Sequence, residues 1–119
     1  MLGFFGGSRH YSIVGVEPET IEREKRQLKL MQDRLQQFQT GDMSISHVIA
    51  DLEALLAQLE LVDETWRGEF IESWADLEIP YAVALDRQTE LPTVRDSGVR
   101  AAADRLLDLV NAKLEELSA

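Results

Sequence analysis

Two histidines, His10 and His47, are the whole stock of imidazole in this sequence, and it holds no cysteine. That removes thiolate zinc sites, disulfides and thiol nucleophiles from consideration. His47 stands four residues before Asp51 at the start of a predicted helix. The spacing allows a side-chain hydrogen bond, and His47 reads as a surface residue of a first turn. His10 sits in a glycine-rich stretch and is assigned no role. The third grouping is Glu69-x-x-Glu72-x-x-x-Asp76, three carboxylates within about 60° of one another on a helix. Carboxylate metal sites in helical bundles draw Glu-x-x-His from two helices with the ligands aimed inward. This trio has no histidine and lies opposite the apolar stripe, so neither metal nor cofactor is expected. No Gly-x-Ser-x-Gly, phosphate loop or dinucleotide fingerprint occurs, which leaves acyl, phosphoryl and hydride transfer without an anchor. The chain reads as a binder and not as an enzyme.

What the carboxylates offer instead is a charged surface. The 119 residues carry a net charge of −10, the wrong sign for neutralising phosphates, so nucleic acid and anionic membranes are poor partners. The charge is also unevenly placed. Residues 17 to 41 hold five acids and five bases, whereas residues 42 to 90 hold twelve acids against Arg67 and Arg87 alone. Glu69, Glu72 and Asp76 have no basic mate three or four positions away on their own helix, so they repel one another by a few tenths of a kcal/mol per pair. A positive partner would relieve that repulsion. The candidate partner-binding residues are therefore Glu53, Glu60, Asp63, Glu64, Glu69, Glu72 and Asp76, and the partner they imply is a basic protein.

Elements must position these groups, and the apolar spacing supplies them. Residues 1 to 16 are glycine-rich and free of acids, and read as an irregular arm in which only residues 11 to 16 could form a strand. Pro18 at a first helical position, flanked by Glu17, Glu19 and Glu22, opens the first helix. Ile21, Leu28, Met31, Leu35 and Phe38 form its stripe, nearly a heptad seam, and Gly41 ends it. Capping residues at positions 42 to 46 precede Val48, Ile49, Leu52, Leu55, Leu56, Leu59 and Val62 on the second helix. Asp63 is the expected N-cap of the third helix. Trp66, Phe70, Trp74, Leu77, Tyr81 and Leu85 fall within about 100° of one another there. At this spacing the rings read as core rather than as an aromatic ligand pocket. Pro80 removes one backbone donor and predicts a kink or break near residues 77 to 79. After Pro92, a last helix carries Val99, Ala102, Leu106, Leu109, Val110, Leu114 and Leu117. With 45% apolar residues, residues 17 to 119 can close one core. The expected fold is all-α, a four- to five-helix antiparallel bundle behind the arm. The first residues lack the basic flank and unbroken apolar run of an export signal, and no stretch approaches the roughly 20 apolar residues of a span, so the expected compartment is the cytoplasm.

One stretch resembles a known family. Ala50-Asp51-Leu52-Glu53-Ala54-Leu55-Leu56, Leu59-Glu60 and Asp63-Glu64-x-Trp66-x-x-x-Phe70-x-x-x-Trp74-x-x-Leu77-Glu78-x-x-Tyr81-Ala82-x-Ala84-Leu85-Asp86 are similar to small all-helical bacterial immunity proteins of contact-dependent growth-inhibition toxin systems. The resemblance covers residues 50 to 86, mostly core and cap types. It implies a cytoplasmic protein that binds and neutralises a toxin domain, commonly a nuclease. Nucleases present basic clefts shaped for phosphates, and an acidic protein can fill such a cleft by complementarity. Another nuclease-directed inhibitor, such as a phage anti-defence protein, would share these features. The alternative from a different class is a structural or adaptor subunit that oligomerises through the first helix. A monomer is the expectation, because the domain needs that stripe for its own core.

Overall fold

The computed structural model describes residues 15–119, which form four helices joined by short connections. These are α1 (Pro18–Gln39), α2 (Ile45–Gln58), α3 (Glu64–Arg87) and α4 (Ser97–Ser118). No strand occurs among the described residues. Of the expected arm only Gly15 and Val16 are described, so the rest of that reading, the possible strand and His10 lie outside the described residues.

The helix ends follow from local chemistry. Pro18 occupies the first turn of α1, where its missing N–H costs nothing. At the other end Gly41 takes φ +86°, the Gly41 N–H donates to the Phe38 carbonyl at 3.1 Å and the Asp42 N–H to Gln37 at 2.8 Å. This is a Schellman closure, which needs a residue that tolerates the left-handed region. Ser44 caps α2 by accepting the His47 N–H at 3.3 Å, and Asp63 caps α3 by accepting the Trp66 N–H at 2.8 Å. α3 ends in a second Schellman closure built on Gln88 at φ 55°, a conformation L-residues adopt at a cost.

Cross-links between helices set their directions. Arg34 to Asp51 and Arg23 to Glu60 join α1 to α2 and the residues just beyond it, while Gln32 to Asn111 and Gln39 to Asp104 join α1 to α4. Trp74 to Ile49 and Arg67 to Leu59 join α3 to the α2 segment. Trp66 to Leu109 and Arg105 to Asp76 join α3 to α4. In each set the residue number rises on one side as it falls on the other, so every neighbouring pair runs antiparallel. Leu28, Met31, Leu35 and Phe38 of α1, Val48 and Leu52 of α2, Phe70 and Leu77 of α3, and Leu106 and Val110 of α4 share one core. Trp66 and Phe70 stack within it, with ring centroids 5.2 Å apart.

Three expectations need correction. Leu85 is 53% exposed, and Ala84 takes the inward position. Trp74 and Tyr81 are half-buried against the core instead of at its centre. The reason is a shift of the inward stripe to Trp66, Phe70, Ser73, Leu77 and Ala84, a nearly heptad spacing that the large apolar types alone do not reveal. Finally, α3 runs unbroken through Pro80, so no break occurs near residues 77 to 79. Losing a helix bond at an interior proline costs about 3 kcal/mol, which burial of Leu77 and Ala84 on either side offsets.

Two charges lie inside this core. Glu24 is 2% exposed and its carboxylate accepts the Glu60 N–H at 3.0 Å and the Leu61 N–H at 2.7 Å. Those N–H groups belong to the chain leaving α2, where no helix bond can take them. Lys113 is also 2% exposed and donates through Nζ to Glu116 Oε2 at 3.2 Å. No buried side-chain nitrogen or oxygen among the described residues lacks a partner.

Candidate protein-binding surface

The α3 carboxylates face the neighbouring helix. Glu69, Glu72, Ser73 and Asp76 form one wall of an open groove of 420 Å³, and Arg105, Asp108, Leu109 and Ala112 of α4 form the other. Its geometry comes from the antiparallel pairing of α3 and α4, fixed below by the Trp66 bond to Leu109 and above by Arg105. Arg105 Nη2 donates to Asp76 Oδ2 at 2.7 Å, and its Nε donates to Ser73 Oγ at 3.3 Å. Both partners of that ion pair are about half exposed, so it holds the groove's shape more than it stabilises the fold. No hydrogen bond or ion pair reaches Glu69, Glu72 or Asp108 among the described residues. Four carboxylates thus stand against one guanidinium, on two rigid helices.

The other sequence-derived residues lie elsewhere. Glu53 is exposed on α2 and Glu64 is exposed in the first turn of α3. Glu60 is paired at 2.9 Å with Arg23 of α1. Asp63 is engaged as the α3 cap. The seven are therefore not one patch: Glu69, Glu72 and Asp76 come together, while Glu60 and Asp63 are drawn into structural contacts. Arg105 and Asp108, the far wall of the groove, are absent from the sequence-derived set because they sit about 30 positions away on a helix whose own charge is nearly balanced. Only the pairing of α3 with α4 brings them in.

Charge compensation also crosses helices. Arg23, Arg34 and Arg105 supply cations to Glu60, Asp51 and Asp76, so part of the acidity of residues 42 to 90 is answered from outside it. His47 is an exposed first-turn residue, and its Nδ1 meets Ser44 Oγ at 2.9 Å in place of the anticipated Asp51, which accepts from Arg34. The described residues contain no group of three or more His, Asp or Glu placed to hold a metal ion. No described helix is long and apolar enough to cross a membrane. The seam of α1 is spent on the core, with Leu28, Met31 and Leu35 fully buried. No family model, curated protein or solved structure matches the chain.

Proposed function

We propose that the protein is a cytoplasmic immunity protein or inhibitor, an antiparallel four-helix bundle whose acidic groove between α3 and α4 meets the basic cleft of a toxin domain, a nuclease foremost. The observation that carries this reading is the groove itself, in which Glu69, Glu72 and Asp108 are exposed and have no cation among the described residues. Like charges held together on rigid helices raise the energy of the free protein, and a basic partner returns that energy on binding. The mechanism is occlusion, in which carboxylates take the place of substrate phosphates, and it needs no catalytic group, cofactor or metal from this chain. A subunit that oligomerises through α1 gains no support, since its seam would have to leave the core.

The test is co-expression with the C-terminal domain of the secreted protein encoded immediately upstream. Rescue of growth, together with a 1:1 complex by light scattering that weakens as salt rises, supports the proposal. The absence of such a gene, or unrelieved toxicity with both proteins expressed, overturns it.

A further inference from the structure

α3 carries apolar residues on two faces. Beyond the inward stripe, Ile71 is 47% exposed, Ile79 55% and Val83 42%, and with half-buried Ala75 they stand at successive steps of four. Residues so spaced form a single ridge on a helix, here about 18 Å long at 1.5 Å per residue. The rows on either side of it each hold two carboxylates. Glu72 and Asp76 belong to one, Glu78 and Asp86 to the other, and Glu72 and Asp76 are also walls of the α3–α4 groove.

We infer that this ridge is the seat of an amphipathic helix of the partner protein, one whose apolar seam is flanked on both sides by Lys or Arg. The inference rests on the inhibitor reading of the same face and adds the shape and chemistry of what docks there. Charge complementarity selects the occupant. A second copy docking through the same ridge would set Glu72, Asp76, Glu78 and Asp86 against their own equivalents, which like charges oppose. The chain's own first 14 residues contain one guanidinium, Arg9, too little to answer Glu72, Glu78 and Asp86, the three of these carboxylates with no ion pair among the described residues. A basic-flanked helix buries the ridge by i±4 packing and pairs both acidic rows at once.

The probe is a labelled 20-residue helical peptide with Leu at every fourth position between rows of Lys, compared with a peptide of identical composition in scrambled order. Fluorescence anisotropy on the full chain should show the ordered peptide binding at least about tenfold tighter, since only it presents a continuous apolar anchor. Replacing Ile79 and Val83 by Ser, which keeps every charge, should cost about tenfold in affinity, while Leu30→Ser, at an exposed apolar position on α1, should cost nothing. Equal binding of the two peptides, or an unchanged affinity for the Ser variant, overturns the inference. So does a dimer of the free chain that the Ser variant abolishes, or tighter peptide binding once residues 1 to 14 are removed. The Ser variant in the growth assay separates the two readings. Rescue by the wild type and equally by the variant sinks the ridge and leaves the inhibitor standing, whereas no rescue by the wild type with ordered-peptide binding intact sinks the inhibitor alone.

Discussion

Glu24 shows how a charge is held in this core. Its carboxylate replaces water with two backbone N–H groups that the exit from α2 would otherwise leave unbonded, so the acid and the turn satisfy each other. Hydrogen bonds to a charged group contribute about 1.5–3 kcal/mol each, and orphaning buried donors costs a similar amount. Glu24→Ala should therefore lower stability by about 3 kcal/mol in urea melts; a loss below about 1 kcal/mol would mean that water takes over both donors. Tryptophan burial gives a second prediction at this scale. Trp66 is 7% exposed and Trp74 only half-buried, so Trp66→Ala should cost about 3–5 kcal/mol and Trp74→Ala distinctly less. The reverse order would place the ring anchor at the α2 side. Of the two buried charges, only Glu24 leaves a mark in the sequence: Lys113 hides beside Leu114, which carries the α4 stripe from Val110 to Leu117, whereas the α1 stripe skips from Ile21 to Leu28 and Glu24 fills the missing heptad position. The position is legible as a gap in the apolar pattern. The partners are not, because Glu60 and Leu61 reach Glu24 only through the fold.

α3 supplies one wall of the groove, and its two ends were unequally legible. Its start was readable because an Asp cap acts within three residues, and the same holds for Pro18, Gly41 and Ser44. Its end was not, since Gln88 enters the left-handed region without being a glycine and no local residue type announces the turn. Pro80 suggested a break that α3 does not have, for a related reason. Its local cost is real, but packing of the flanking turns against α4 is a tertiary term that a sequence window does not contain. The cost should therefore be recoverable. Pro80→Ala is expected to raise stability by about 1–2 kcal/mol in urea with unchanged helical circular dichroism, part of the full interior penalty. A destabilised variant would show that the proline shapes the path along which α3 meets α4.

At the scale of the whole molecule, the charge asymmetry was visible from composition by segment, and it drew attention to α3. The groove was not visible, because it needs Asp108 and Arg105 from α4 and because the cations of α1 cancel acids that a linear count leaves unpaired. This changes which residues test the account. Asp76 is committed to Arg105, so reversing it would disturb the groove's shape, whereas Glu69, Glu72 and Asp108 have no partner to lose among the described residues. The decisive measurement is the association rate with the upstream-encoded toxin domain for Glu69→Lys, Glu72→Lys and Asp108→Lys combined. It is compared with an equally charged control, Glu17→Lys, Glu19→Lys and Glu90→Lys, at exposed positions away from the groove. The account predicts that the groove variant associates at least about tenfold more slowly at low salt, that the difference fades as salt approaches about 1 M, and that the control stays near wild type. Equal slowing in both variants would reduce the effect to net charge, and no slowing in either would make the groove a solvated surface, contradicting the proposed mechanism.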